Sequence, residues 1–273
     1  MSRLSSLLLR EIRKNELKRT DTAMVHMFKT TKALVLRETK YKEADKILTI
    51  LTEDEGKLTV SARGVMRRGS KIAAACQLLT FSEMTLFENH GKWYVNEAQS
   101  IEQFLGLRDD IALLALGTYI AELLEAVSDE DRPNPDVLRL GLNSLFALSS
   151  KLYEPEHIKA VFELRLMCIS GYEPMLDYCP VCGNDKIERP IFSTTGGTAL
   201  CSKCKNSEYS ETLAVSDASL SAMRHVSGAD SKKIFSFTLG EAASKQFSSV
   251  CEAYIQTQLE RRFSALDYWK SVK

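Results

Sequence analysis

The sequence predicts an α+β protein of several domains: an N-terminal β-barrel, an α-helical bundle and an inserted cysteine-rich module. Three observations support this fold class. Apolar residues alternate with a period of two within residues 28–104, they recur at helical spacing from residue 105 onward, and four of the seven cysteines fall within residues 179–204. The 273 residues include 36 basic and 36 acidic side chains and 44% hydrophobic residues, which is typical of a folded protein and excludes a disordered or collagen-like chain.

Residues 28–104 contain five short runs that are typical of β-strands. In the clearest run, Leu58, Val60 and Ala62 alternate with polar residues, so one face points into a core and the other into water. Turn residues at 53–56 and 89–91 predict two hairpins. Five antiparallel strands in this length predict a small closed barrel, and an OB-fold and an SH3-like barrel fit these counts equally well. The runs are 33–37, 47–52, 57–63, 78–87 and 92–98.

From residue 105 the pattern indicates helices. Asp109 and Asp110 place carboxylates at the N-terminus of a first helix over 111–124, which is too apolar for a lone surface helix. Further helices are predicted over 136–152 and from Pro155 to Gly171, where the glycine ends the helix. In the last third of the chain, Ser216 is predicted to cap a short helix, and one long helix is predicted over 241–269 that packs back onto the bundle.

The first 27 residues carry six basic and three acidic side chains, and their apolar run at 7–9 is shorter than a secretory signal requires. We interpret them as a flexible extension or, because Met24 and Met27 precede the first strand, as a mis-assigned start. No run approaches the roughly 20 apolar residues of a membrane span, so we expect no membrane partner. The missing secretory signal and a cysteine pattern typical of a metal site predict the reducing cytoplasm. The predicted domains are the leader 1–27, the barrel 28–104, the helical domain 105–175 with 210–273, and the cysteine module 176–209.

Two Cys-x-x-Cys knuckles, Cys179 with Cys182 and Cys201 with Cys204, have the spacing of a four-cysteine zinc site. Residues 194–197 supply the turn of a hairpin between the knuckles. Because four thiolates leave no coordination position open, we predict one structural Zn²⁺ per chain and no catalytic metal. The odd number and uneven placement of the cysteines indicate a metal site and not a disulfide framework.

The most one-signed stretch of the chain is 56–71, which holds five basic residues and no acidic residue. Two of the cations lie on the outward face of the predicted strand, and the other three follow Gly64 in a segment that we predict to be a mobile loop able to follow a phosphate backbone. The five are Lys57, Arg63, Arg67, Arg68 and Lys71. The alternative interpretation is a solvated face.

Aromatic residues accompany this basic stretch and could stack on unpaired bases. Strand alternation places Trp93 and Tyr94 on opposite faces, so one of the two belongs to the core. The candidates are Trp93, Tyr94, Tyr41 and Phe87.

The sequence contains no phosphate-binding loop, dinucleotide fingerprint, zinc-protease helix motif or nucleophile elbow. His26, His90, His157 and His225 stand without flanking catalytic partners, so we predict a binding protein and not an enzyme. Two alternatives stay open. A transcription or translation accessory protein with a barrel and a zinc ribbon would prefer RNA, and a scaffold would use its acidic bundle, in which residues 105–175 hold six basic and twelve acidic side chains.

The order of these parts resembles the RecO family of bacterial recombination mediators. The resemblance covers residues 27–273 and includes the barrel segment MFKTTKALVLRETKYKEADKILTILTEDEGKLTVSARGVMR, the knuckles YCPVCG and CSKC, and QLERRFSALDYW in the final helix. Its most specific part is Tyr41, Glu43 and Asp45, followed by Gly56 and the Ala-Arg-Gly step at 62–64. The family normally begins near Met27, so the leader departs from the pattern.

The resemblance implies an OB-fold that binds single- and double-stranded DNA, a helical domain and a structural zinc module. It also implies strand annealing and three partners: RecR, the acidic C-terminal tail of single-stranded-DNA-binding protein and, indirectly, RecA. DNA contacts are expected at Lys57, Arg63, Arg67, Arg68 and Lys71, with Lys40, Lys42 and Lys92 as secondary candidates. The cation of a tail-binding groove would be Arg139, Lys159 or Arg165.

Overall fold

The computed structural model describes residues 28–209 and 211–273. The predictions for the leader, including His26, lie outside the described residues.

Five strands close into a barrel in the order β1-β2-β3-β5-β4, with β1 also paired to β4. Strands β3 and β5 run parallel through the pairs Val60–Trp93 and Ser61–Tyr94, and the other neighbours are antiparallel. This five-stranded Greek-key barrel is the OB-fold, so that prediction is confirmed and the SH3-like alternative is excluded. The strands are β1 (Phe28–Tyr41), β2 (Asp45–Thr52), β3 (Gly56–Ala62), β4 (Phe81–Asn89) and β5 (Lys92–Glu102).

Strand alternation sets the two surfaces of the barrel. Leu58, Val60 and Ala62 of β3 are buried in the barrel interior, as predicted. At the β4–β5 hairpin, His90 and Gly91 have φ values of 52° and 72°, which is the pair of positive values that a type I′ turn needs. The local sequence signals for strands and tight turns therefore account for the barrel.

Six α-helices form the rest of the described fold together with a small sheet. Asp110 caps the first helix by accepting hydrogen bonds from the backbone N–H groups of Ala112 and Leu113. Gly171, at φ 89°, ends the third helix as predicted. No helix in residues 28–209 and 211–273 combines the length and the apolar character needed to cross a membrane. The helices are α1 (Ile111–Val127), α2 (Pro135–Ser149), α3 (Pro155–Ile169), α4 (Asp217–Gly228), α5 (Glu241–Gln258) and α6 (Ser264–Val272).

The prediction of a single long helix over 241–269 is wrong, because α5 ends at Gln258 and α6 begins at Ser264. Glu260 takes a left-handed conformation at φ 49°, and the backbone N–H of Arg261 donates to the carbonyl of Gln256 at 3.3 Å. This is a Schellman ending with glutamate where glycine is usual, so the sequence carried no stop signal. The break lets Phe263, 1% exposed, turn into the core against Tyr119.

The connection from β3 to β4, predicted as a mobile loop, is instead folded into successive turns. Hydrogen bonds from Arg67 N–H to Gly64, and from Ser70 N–H to Arg67, close the first two turns. Val65 and Cys76 are buried in the barrel core, so the connection closes one end of the barrel. The basic side chains of this segment are therefore displayed on a packed support.

The barrel has a core of its own, and its outer side joins the larger apolar core of the bundle. Leu34, Leu36 and Leu51 on the outer side of the barrel, and Leu79 in the β3–β4 connection, are buried in the same cluster as residues of α1. At the β2–β3 turn, Gly56 has φ 70°, and a Cβ there would lie 2.6 Å from the carbonyl oxygens of Asp129 and Arg132. The contact between the barrel and the segment after α1 therefore requires glycine at position 56.

The cysteine module is built on a three-stranded sheet of β6 (Pro190–Ser193), β7 (Thr198–Cys201) and β8 (Thr212–Ala214). Strand β8 lies beyond the predicted module range of 176–209. Phe192 packs edge-on against Tyr254 of α5 at 5.1 Å, and the Tyr254 hydroxyl donates to the carbonyl of Tyr172 at 2.8 Å. The sheet is thus held against the helical domain as well as by its cysteines.

Candidate nucleic-acid interface and metal centre

An open cleft of about 510 Å³ lies over the outer face of β2 and β3. The bundle covers the other end of this face, where Leu51 pairs with Lys57, and leaves the end with Thr59 and Ser61 accessible. The turns β1–β2 and β4–β5 form the sides of the cleft, which is the usual ligand position of an OB-fold. Its walls comprise Tyr41, Lys42, Asp45, Ile47, Thr59, Val60, Ser61, Arg63, Gly91, Lys92, Trp93 and Tyr94.

The structure brings most of the predicted cations to this end of the barrel. Lys42, Arg63 and Lys92 line the cleft itself. The side chain of Arg67 lies beside Gly64, directly after β3. The other predicted cations are exposed: Arg68 and Lys71 follow in the β3–β4 connection, and Lys40 lies near the end of β1.

Lys57 lies at the covered end of β3. Its Nζ donates to the backbone carbonyl of Glu125 in α1 at 3.0 Å, and its own N–H donates to the carbonyl of Asp129. Strand alternation correctly predicts that the side chain points outward, but the bundle occupies the space outside. We therefore leave Lys57 out of the proposed DNA face.

An aromatic ladder adjoins the cleft. The ring of Tyr94 stacks on the ring of Phe87, with centroids 5.0 Å apart. The Arg63 guanidinium lies 4.1 Å from the centroid of the same Tyr94 ring. Trp93 packs partly against the barrel core, so Trp93 and Tyr94 face opposite ways as predicted. Tyr41 is 46% exposed at the rim, with Lys42 over its ring. The cleft therefore combines cations with accessible aromatic rings.

Asp45 is the acidic residue of the cleft lining. The charge pattern of the sequence did not predict a carboxylate at this place. Its Oδ1 accepts the backbone N–H of Gly64 at 2.7 Å, while the N–H of Met66 donates to the carbonyl of Ala44 at 2.9 Å. Asp45 thus fastens the start of the basic connection to the β1–β2 turn. In the sequence, Asp45 belongs to the Tyr-x-Glu-x-Asp segment. That segment indicates the family resemblance, but it does not reveal the hydrogen bond between Asp45 and Gly64.

The four predicted metal ligands, Cys179, Cys182, Cys201 and Cys204, meet in one cluster whose sulfur atoms all lie within 4.8 Å of one another. A tetrahedral zinc site with Zn–S bonds of about 2.3 Å places its sulfurs roughly 3.8 Å apart, so the cluster fits a four-thiolate metal. Gly183, at φ 71°, allows its N–H to donate to the Cys179 carbonyl at 2.8 Å, which closes the first knuckle.

Backbone hydrogen bonds favour the thiolate form at one of these sulfurs, that of Cys179. Burial raises the pKa of Cys179, but backbone N–H groups of Cys201, Cys182 and Val181 outweigh it and lower the pKa to about 6. Burial and the neighbouring thiols raise the pKa of Cys204 to about 12. A bound divalent cation would favour the thiolate form of every ligand.

Two of the three cations suggested for a tail-binding groove share one cavity. Arg139 of α2 and Arg165 of α3 line a depression of about 250 Å³ with Leu140, Ile169 and Ile234. Arg165 donates from Nη1 to the carbonyls at the end of α4, at 2.6 Å and 3.1 Å, which fixes the guanidinium in the wall. Asp136 and Asp230 also line this cavity.

The third cation, Lys159, does not line this cavity. Its side chain is 1% exposed and its Nζ contacts Glu163 and Glu252, each at 2.9 Å. We therefore leave Lys159 out of the proposed groove, because its ammonium belongs to a buried ion cluster.

The histidines of the described residues bond backbone carbonyls or lie in a turn. His157 and His225 are hydrogen-bonded through Nε2 to the carbonyls of Phe235 and Lys233, in the connection between α4 and α5. Burial lowers the pKa of His157, so the neutral ring donates this bond at pH 7. His90 occupies the β4–β5 turn.

Family models match both halves of the chain. The model of the recombination protein O N terminal matches residues 24–104, and the model of the recombination protein O C terminal matches residues 108–267. Together they cover the barrel, the bundle and the cysteine module.

Individual relatives agree with the family models. DNA repair protein RecO of Acetivibrio thermocellus is 33% identical over 245 residues, which cover 89% of this chain and 96% of the relative. The RecO protein of Caldicellulosiruptor bescii is 29% identical over 243 residues, covering 89% and 98%. That of Listeria monocytogenes serotype 4b is 33% identical over 171 residues, covering 63% and 66%.

Proposed function

The chain belongs to the RecO family of DNA repair proteins, and on this premise we propose that it is a recombination mediator that binds single- and double-stranded DNA and anneals complementary strands. With RecR it would help to load RecA onto strands coated by single-stranded-DNA-binding protein, in the cytoplasm at the nucleoid. The main support is the cleft of the OB-fold, where Lys42, Arg63 and Lys92 lie beside exposed aromatic rings.

The proposed mechanism needs no bond chemistry and no ATP. Cations on the barrel neutralise phosphates of two strands, which reduces the repulsion between the strands and raises their local concentration. Bases outside the cleft stay free to pair because the basic rim holds mainly the backbone. Annealing is then a consequence of proximity.

Strand annealing tests this proposal. Two complementary oligonucleotides, first bare and then coated with the cognate single-stranded-DNA-binding protein, are mixed with the protein at two salt concentrations without ATP. We expect faster annealing of both, with less acceleration at high salt. Annealing of bare strands alone would remove the proposed partner, and no acceleration would overturn the proposal.

Arg67 and Arg68 provide a prediction about the DNA footprint. Changing both to Ala should weaken single-strand binding alike for all sequences and reduce the slope of log affinity against log salt by roughly 0.7 per lost phosphate contact. The measurement is fluorescence anisotropy over a salt series. The double variant Lys232→Ala with Lys233→Ala, also exposed and adjacent, is the matched control and should keep the slope. An unchanged slope in the arginine variant would remove this segment from the footprint.

We propose Zn²⁺ as the metal of the cysteine cluster, one per chain and with a structural role. Four thiolates in one closed cluster suit a soft, tetrahedral ion, and they leave no position open for substrate. Residues of the knuckles would hold the ion, and its function there is to fix the β6–β8 sheet.

For the acidic tail of single-stranded-DNA-binding protein, we propose the cavity of Arg139 and Arg165. A guanidinium above apolar Leu140 and Ile234 can pair with a carboxylate while the cavity takes an apolar side chain. Arg139 is the more accessible partner because its contact is an exposed i,i+3 pair with Asp136.

The Arg139→Ala change should weaken binding of a tail peptide about tenfold, equivalent to about 1.4 kcal/mol, and leave affinity for DNA unchanged. Peptide anisotropy measures the first quantity and oligonucleotide anisotropy the second. Arg132→Ala removes an exposed arginine that pairs with Asp129 at the same i,i+3 spacing and should have no effect. Equal peptide affinity for both variants would place the tail elsewhere.

A further inference from the structure

Asp45 places a carboxylate inside a cleft whose rim is basic. One oxygen, Oδ1, is committed to the Gly64 N–H at 2.7 Å. Within the described part of the chain, no donor is hydrogen-bonded to Oδ2 and no cation pairs with Asp45. A phosphate at this position would meet a like charge, so the interior of the cleft disfavours the DNA backbone.

The remaining groups of the interior suit a base. Thr59 and Ser61 present hydroxyls on the outer face of β3, and each can donate or accept. Tyr41, which is 46% exposed, and Tyr94 line the same cleft. The Tyr94 ring already contacts Phe87 and the Arg63 guanidinium, so Tyr41 and the guanidinium itself are the surfaces open to a ligand. A flat heterocycle can stack on the Tyr41 ring or on the Arg63 guanidinium, and its polar edge can then reach the hydroxyls and the carboxylate.

We propose that this cleft binds unpaired nucleobases, with the backbone along the basic rim, and that Asp45 selects bases carrying an exocyclic amino group. The inference rests on the proposed DNA binding and adds a base preference to it. The amino groups of cytosine and adenine donate to a carboxylate. Thymine offers only a ring N–H between two carbonyl oxygens, which the carboxylate repels.

The test compares oligo-dC and oligo-dT of about 16 nucleotides, the upper footprint of one OB-fold. Measurement at mildly alkaline pH keeps cytosine unprotonated. We expect the full chain to bind oligo-dC between about three- and tenfold more tightly. Asp45→Asn retains an acceptor for Gly64 and replaces the other oxygen by a donor, so it should remove the preference and strengthen oligo-dT binding, because the repulsion by the carboxylate is gone.

Glu43→Gln is the matched control, because Glu43 is exposed in the same turn, outside the cleft, and loses the same charge. It should keep the preference for oligo-dC. Thermal unfolding of both variants verifies that the Asp45 contact with Gly64 survives.

The outcomes separate this inference from the proposed function. Equal, salt-sensitive binding of both oligonucleotides by the unaltered protein would overturn the base preference and leave DNA binding in place. Identical behaviour of the two variants would also overturn it, because charge alone would then explain the effect. Absence of binding to either oligonucleotide would overturn both proposals.

Discussion

Cys179→Ser is expected to release the metal and unfold the cysteine module. Cys179 is fully buried, and its sulfur accepts the N–H of Cys201 while its backbone bonds Asn184 and Gly183, so it connects both knuckles. A serine hydroxyl does not replace a thiolate as a zinc ligand. Binding of a structural zinc is worth about 10 to 16 kcal/mol at pH 7, and the variant should lose a large part of this free energy.

The loss should reach the helical domain, because Phe192 of the module sheet packs on Tyr254 of α5. Three measurements follow it: metal content, the thermal midpoint, and amide exchange of strands β6 and β7. Cys168→Ala, at a half-buried cysteine of α3 outside the cluster, should keep the metal. A Cys179→Ser protein with full metal content and unchanged exchange would contradict a four-cysteine site.

Lys159→Met is expected to destabilise the whole protein by about 3 to 5 kcal/mol. The Lys159 ammonium lies 2.9 Å from carboxylate oxygens of both Glu163 and Glu252. The Tyr119 hydroxyl donates to Glu163 at 2.7 Å, and Lys270 pairs with Glu252. Removing the ammonium leaves Glu163, which has no exposed surface, as an uncompensated buried charge.

The pH dependence identifies this cause. Burial raises the pKa of Glu163 even beside Lys159, whose charge opposes the rise. Without that charge the pKa rises further, so the folded variant binds a proton that the unfolded chain has released. The free energy of unfolding of Lys159→Met should therefore fall as pH rises from the ordinary carboxyl range toward neutrality, relative to the unaltered protein.

Chemical denaturation over a pH series measures this difference. The double variant Lys159→Met with Glu163→Gln should regain most of the lost stability, because a neutral amide replaces the stranded carboxylate. An equal loss in the single and double variants would mean that Lys159 contributes by packing and not by charge.

Local signals in the sequence predicted most of the fold and the metal ligands. Alternation gave β3, Asp110 and Gly171 marked helix ends, and the cysteine spacing gave the cluster, because each of these depends on residues a few positions apart. The sequence did not reveal the break at Glu260, where a non-glycine residue adopts the left-handed conformation.

Two of the basic residues considered for binding have partners that the sequence pattern does not indicate. Lys57 and Lys159 stand at positions where a charged side chain normally meets water, but their partners lie far along the chain. Lys57 contacts the carbonyl of Glu125, and Lys159 contacts Glu252. Periodicity tells which way a side chain points, whereas only the tertiary fold tells what it meets there.

The leucines on the outer side of the barrel are covered by helices that are synthesised after the barrel. When residue 104 leaves the ribosome, Leu34, Leu36 and Leu51 have no cover, and α1 follows within about 1 to 5 seconds. Helix α6, which also packs on α1, arrives about 7 to 30 seconds later. Until α6 arrives, the part of α1 that it covers stays exposed, so we expect the nascent chain to be prone to aggregation over this interval and more so when translation is slow.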